Sequence, residues 1–288
     1  MLEAKIPKPL LRNFCFCAMS LKTLLLLLRR VYLLYFVLMK TLEMNTFFDI
    51  NKLPSEKGLL LFGLSMNKLS NRQDSEHCME DIRHLAIDKI SKPLVGLNFI
   101  YSDFLYLYSD RPAPELKNSF MNQVIQHRNG MQRLIEKNNM VFQIQHGFNY
   151  MVWNQLYVGT KDFNQLFEQL KKIFKEDQKF QKYLEEDCVA FGRDMEDNQV
   201  NFFLEEILMM YLLSKNQIKL PNEYIENNQK WILWCYPGRP LKSEVYMHQL
   251  NPFKLDWPEN PYQSCQYDLE ARQLIDFNRV DLETYEVR

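Results

Sequence analysis

At 288 residues, 47% hydrophobic and 14% aromatic, the chain has core material for one large domain or two small ones, which excludes a disordered or fibrous protein. A formal net charge of −1 excludes a globally basic nucleic-acid binder, so any nucleic-acid partner has to be met by a local patch. Six cysteines with no CxxC pair provide neither a zinc site nor a disulfide scaffold, and they fit a reducing, cytoplasmic setting.

Residues 1–52 differ from the rest and read as a hydrophobic N-terminal extension. Residues 21–38, LKTLLLLLRRVYLLYFVL, are apolar enough to raise a membrane helix or signal anchor, with Lys5, Lys8 and Arg12 ahead of them. Arg29 and Arg30 argue against a clean span, because each costs about 2.5–3.5 kcal/mol near the centre of a membrane helix. Membrane association of this stretch is therefore not favoured. Met39 and Met44 allow another reading, in which residues 1–44 precede the working start of the protein.

From residue 53 the pattern alternates between element types. GLLLFGLS (58–65) and PLVGLNFIYSD (93–103) are short apolar runs bounded by Gly, Pro and Asp, and SEHCMEDIRHLAIDKI (75–90) between them has helical spacing. A helix over 115–138, announced by Pro112 and Pro114, leads to a third expected strand, MVFQIQHG (140–147). Two charged amphipathic helices follow over 161–193, then a nearly all-apolar helix, QVNFFLEEILMMYLLSK (199–215), which has to be buried. WILWCYP (231–237) reads as a fourth strand. Residues 53–250 thus form an α/β domain with an open, doubly wound, Rossmann-like parallel sheet and helices on both faces. Residues 251–288, Pro-punctuated and mixed in charge, read as a C-terminal tail.

Ligands of such sheets lie beyond the carboxyl ends of the strands, and Ser65 follows the first one. Its hydroxyl either caps the next helix or faces that crevice. Glu205 and Glu206 sit among Phe202, Phe203, Ile207 and Met210, where a carboxylate is costly without a partner, so one of the two is expected at a site. Tyr236 ends the last strand, where Pro237 stops the ladder, and is either a site phenol or rim packing.

In order and spacing these positions resemble the cyclodipeptide synthase family. Its first strand ends G-x-S, matched by Gly63, Leu64 and Ser65; a buried late helix carries a Glu, matched by Glu206; and a later strand ends in Tyr followed by His or Pro, matched by Tyr236 and Pro237 in the manner of the Pro-type group. EDQKFQKYLEEDC (176–188) is similar to an acidic stretch with a later Cys on a family helix. The resemblance spans roughly residues 53–249. It implies a fold like the catalytic domain of class I aminoacyl-tRNA synthetases, and an aminoacyltransferase that joins amino acids from two aminoacyl-tRNAs into a cyclic dipeptide, a 2,5-diketopiperazine, by a ping-pong route. Ser65 would be the nucleophile, Glu206 would hold the substrate ammonium, and Tyr236 would relay a proton, with Gly63 completing the catalytic set. Phe202, Leu61, Trp234 and Pro237 would line the aminoacyl site. Lys117, Arg128, Arg133 and Lys137, with His127, would meet the tRNA from the 115–138 helix. The implied partners are two aminoacyl-tRNAs and no DNA, and neither a metal nor another cofactor is implied.

One position departs from the family. A Tyr one helical turn before the Glu usually binds the same amine, and here Phe202 occupies it, leaving amine binding to Glu206 alone or to a neighbour such as Asn201. Two alternatives stand beside the enzyme reading. One is a non-catalytic RNA-binding or interaction module on the same fold. The other is a serine acyl hydrolase using Ser65 with His146 or His248, although G-L-S-M-N lacks the second Gly of a nucleophile elbow.

Overall fold

The structure, a computed structural model of the chain, describes residues 58–66, 68–85, 95–102, 113–138, 148–218 and 229–287. All of them fall in one unit, Thr46–Arg288. Residues 21–38 and the strand expected over 140–147 lie outside the described residues. Among the described residues no helix is long and apolar enough to cross a membrane.

Strand β1 is Gly58–Leu64, seven residues that are all buried. Such a run belongs at the centre of a parallel sheet, where both faces are covered. Its side chains alternate accordingly: Leu59 and Leu61 join one apolar core, and Leu60, Phe62 and Leu64 join another on the opposite face. Strand β2, Val95–Tyr101, pairs with it in parallel from Gly58↔Val95 to Leu64↔Tyr101. On its other edge lies β4, Trp231–Tyr236, with Leu61 opposite Trp234. Strand β3, Phe148–Val152, flanks β2, so the third strand follows the stretch expected to form it.

Between β1 and β2 runs α1, Ser75–His84, capped by Asp74, whose carboxylate accepts from the Glu76 and His77 backbone N–H groups. Helix α2, Ala113–Lys137, joins α1 over the core that contains Leu60 and Phe62. The other face is covered by α3 (Trp153–Gly159), α4 (Phe163–Glu176), α5 (Gln178–Ala190) and α6 (Asp197–Ser214). Helix α6 is buried from Phe203 to Ser214 apart from Glu206, which is half-buried, as its nearly unbroken apolar sequence requires.

Residues 251–288 are more than a tail. Strand β5, Cys265–Asp268, pairs in parallel with β4, and β6, Gln273–Asp276, pairs antiparallel with β5. The main sheet runs β3-β2-β1-β4-β5-β6. Its five parallel strands in the order 3-2-1-4-5 make an open α/β sheet with helices on both faces, as expected. The segment leading to β5 is fastened by buried Asn260, whose side-chain amide donates to the carbonyls of Ser214 and Ile232 at 3.3 and 3.2 Å. Helix α7, Lys242–Leu250, starts after Leu241, whose side chain cannot cap it. Asp187 of α5 supplies the cap, accepting from the Lys242 and Ser243 backbone N–H groups at 3.0 and 2.9 Å.

Candidate active site

Strand order reverses between β1 and β4, and the crevice of a doubly wound sheet opens at the carboxyl ends of the two strands flanking that point. A chamber of about 270 Å³ lies there. The ends of β1 and β4 supply Gly63, Ser65, Trp234 and Tyr236; α6 supplies Phe202 and Glu206; and Lys68, Arg193, Arg239 and Glu244 come from the surrounding turns and from α7.

Ser65 is held by its backbone. Its N–H donates to Gln73 Oε1 at 2.8 Å, and Gln73 Nε2 donates to the Gly63 carbonyl at 2.6 Å, so one buried amide clamps both sides of the strand end. The Leu64 carbonyl accepts from Ser102 N and Ser102 Oγ at 3.0 and 3.1 Å. The next helix is capped by Asp74, which removes capping as the reason for Ser65. Gly63 is required by close approach: a Cβ there would lie 2.3 Å from Trp234 Cζ2 and 3.0 Å from Tyr236 Cδ2. Both rings rest against bare backbone next to the serine.

The two carboxylates of α6 part company. Glu206 lines the chamber, and burial pushes its pKa up to about 7, with Arg193 and Lys68 pulling the other way. Glu205 turns into the protein, only 5% exposed, with Oε1 lacking a hydrogen-bond partner, and burial pushes it to about 7 as well. Lys68 stands 4.9 Å from the Tyr236 ring centroid, its pKa lowered chiefly by burial. Phe202 lies beneath the Arg193 guanidinium at 4.6 Å and edge-on to Phe203, while Asn201 is exposed and does not line the chamber.

Of the residues singled out in the sequence, Gly63, Ser65, Phe202, Glu206, Trp234 and Tyr236 meet in this one chamber. Leu61 and Pro237 do not line it. Leu61 is fully buried in the core beneath α6, because its place in the β1 alternation aims it at the helix layer, and Pro237 is buried just past the end of β4. Arg128, Arg133 and Lys137 are exposed on α2 and also lie outside the chamber lining. Arg128 stacks over Tyr150 at 5.0 Å, and Arg133 Nε donates back to the Asn129 carbonyl at 3.2 Å. The side chain of Lys117 lies outside the described residues. His127 adds nothing to this basic group: it is buried against Tyr101, whose hydroxyl is 2.7 Å from Nδ1, and burial lowers its pKa to about 4.

Neither hydrolase histidine is seen at Ser65. His248 is buried at a different cavity, beside Lys215 and Asn260, and His146 lies outside the described residues. Among the described residues no group of three or more His, Cys, Asp or Glu is placed to hold a metal ion. Sequence reasoning missed Lys68, Arg193, Arg239 and Glu244. Lys68, three residues past Ser65 on the same turn, was within reach of a sequence argument; Glu244 was not, since only the docking of α7 brings it to the chamber. Chemically, the site combines a hydroxyl, a carboxylate titrating near neutrality and a phenol in an apolar cavity with cations at its edge.

No family model matches the chain, and no curated protein matches it. Among solved structures the chain is similar to a cyclodipeptide synthase from Candidatus Glomeribacter gigasporarum bound to Phe-tRNAPhe, with 15% identity over 73% of this chain and 89% of that one at a TM-score of 0.47. It is similar to one from Fluoribacter dumoffii, with 13% identity over 69% and 85% of the two chains at a TM-score of 0.47. It is also similar to a Mycobacterium tuberculosis protein described as demonstrating that cyclodipeptide synthetases are related to type I tRNA synthetases, with 12% identity over 65% and 76% at a TM-score of 0.44. These three similar structures are all cyclodipeptide synthases, at low identity.

Proposed function

We propose that the chain is a tRNA-dependent aminoacyltransferase that joins the amino acids of two aminoacyl-tRNAs into a cyclic dipeptide through an aminoacyl-Ser65 intermediate. The observation that carries this reading is the meeting of Ser65, Glu206 and Tyr236 in one chamber at the switch point of the sheet. In the first half-reaction the Ser65 oxygen attacks the aminoacyl ester. The acyl–serine bond forms as the bond to the tRNA ribose breaks, and the serine proton ends on the ribose oxygen. In the second, the amine of another aminoacyl-tRNA displaces Ser65 to give a dipeptidyl-tRNA, and the free amine of that dipeptide then attacks the remaining ester, closing the ring as the second tRNA leaves. Glu206 holds the substrate ammonium, and Tyr236, which both donates and accepts, carries protons between amine, serine and leaving oxygen. A carboxylate titrating near pH 7 is suited to a substrate whose amine has to be bound charged and then used neutral. The ester stores the activation, so no ATP is needed.

The purified chain, given pre-charged aminoacyl-tRNA without ATP, is expected to release cyclic dipeptide detectable by mass spectrometry. Intact mass should reveal an acyl adduct on the wild type and none on Ser65→Ala. A product that needs ATP and free amino acids, or that survives ribonuclease treatment of the charged tRNA, would overturn the reading. An adduct persisting on Ser65→Ala would overturn the assignment of the nucleophile.

A further inference from the structure

We propose that Glu244 is a second ammonium-binding carboxylate of the chamber, acting with Glu206 in place of the polar group that Phe202 lacks. The proposal rests on reading the chamber as an aminoacyl site. The phenyl ring of Phe202 offers no hydrogen-bonding atom, its face is covered by the Arg193 guanidinium, and its neighbour Asn201 is exposed outside the chamber. Helix α6 therefore presents a single amine-binding group, Glu206. The other carboxylate among the described lining residues is Glu244, in the first turn of α7, which reaches the cavity although only 6% of it is exposed.

Helix capping accounts for part of Glu244. It accepts from the Leu241 backbone N–H, but an ionised carboxylate has about four acceptor positions, so one such bond leaves capacity for a ligand. Capping also leaves unexplained why the carboxylate sits in the field of a second one. Burial raises Glu206 to about 7 and Glu244 to about 8, and the charge of Glu206 adds to the rise at Glu244. The other groups around the pair are Asp187 of α5 and Tyr285 near Glu244, Arg193 and Lys68 near Glu206, and Arg239 at the chamber wall. Arg193 packs over the rings of Phe202 and Phe203 and Lys68 over that of Tyr236, and although both pull against it, burial still leaves Glu206 raised. Two carboxylates in one apolar cavity resist joint ionisation until a cation joins them. An entering ammonium lets both ionise and expels a proton.

The test uses isoamylamine and the isosteric isoamyl alcohol as probes, titrated calorimetrically into the full chain in buffers of different ionisation enthalpy. The wild type is expected to prefer the amine, to release a proton on binding it, and to bind it more tightly as pH rises between about 6 and 9. Glu244→Gln keeps an oxygen for the Leu241 N–H, so the fold and the alcohol affinity should persist while the preference for the amine drops about tenfold and the proton release near pH 8, where Glu206 is already largely ionised, falls to a small remainder. In the Glu244→Gln background, Phe202→Tyr should recover part of the amine affinity. Amine affinity and proton release unchanged by Glu244→Gln would overturn the proposal, as would equal losses for amine and alcohol. Failure of the aminoacyl-tRNA reading would appear separately, as absence of acyl-Ser65 from the wild type, with the amine titration still decisive for Glu244.

Discussion

Glu205 and Glu206 are adjacent in sequence and opposite in circumstance. Both titrate near 7 because burial disfavours the charged form, yet Glu206 opens on the chamber and Glu205 does not. Glu205 keeps its proton in the folded protein up to about pH 7 and loses it near pH 4.5 when unfolded. The folded state therefore holds the extra proton in that window, and stability declines as pH rises through it. Between pH 5 and 8 the decline attributable to this residue is on the order of 2–3 kcal/mol. Glu205→Gln removes the titration, so the variant should gain stability relative to wild type at pH 8 while differing little at pH 5. Urea denaturation at the two pH values measures the difference, and a constant offset would mean that Glu205 finds a partner when ionised. At this scale Ser65 and Glu206 were legible because a hydroxyl after a strand and a carboxylate in an apolar helix are chemically conspicuous. Which of the two glutamates faces the cavity depends on the rotation of α6 against the sheet, which its nearly uniform apolar sequence hardly specifies.

Strands β1 and β4 carry the site jointly, through the fit of Trp234 and Tyr236 over Gly63. Gly63→Ala puts a methyl group where the Trp234 ring lies, forcing the ring or the strand aside. Overpacking of this kind costs about 1–3 kcal/mol. The expected outcome is lower stability together with a loss of acyl-Ser65 larger than that stability loss explains, because the displaced rings are chamber walls. Wild-type adduct yield in a folded Gly63→Ala variant would mean that Trp234 yields without cost to the site. Helix α7 shows the same dependence between elements: its cap comes from Asp187 on α5, and its first turn brings Glu244 to the chamber. Neither link has a local signature, since partners more than fifty residues apart leave no short-range pattern.

At the scale of the whole molecule, a nearly neutral protein has to meet an anionic partner through local charge. Arg128, Arg133 and Lys137 are exposed on α2, and Lys68, Arg193 and Arg239 line the chamber itself. Under the proposed function these groups divide the task, the α2 cations meeting the tRNA body and the chamber cations the reacting end. Joint charge reversal, Arg128→Glu with Arg133→Glu, should raise KM for aminoacyl-tRNA more than it lowers kcat and should flatten the salt dependence, by roughly 0.7–0.9 in log–log slope for each phosphate that the protein no longer neutralises. Steady-state kinetics at several salt concentrations gives both quantities. An unchanged KM would place the tRNA on another face of the protein.

The alternation of short apolar runs with helical periods was sufficient, by itself, to determine an open parallel sheet with helices on both faces, because covering β1 on two sides demands an unbroken apolar strand flanked by amphipathic helices. It likewise placed Ser65 and Tyr236 at strand ends. The role of residues 251–288 was decided only in three dimensions: β5 is four residues long and includes Gln266 and Asp268, polar side chains that are tolerable inside because Gln266 donates to the Gly238 carbonyl and Asp268 accepts from the Gly238 N–H. The buried neutral state of His127, the core position of Leu61 and the arrival of Glu244 at the chamber were decided in the same way. Each depends on which side chains a distant element presents, and periodicity along the chain carries no record of that.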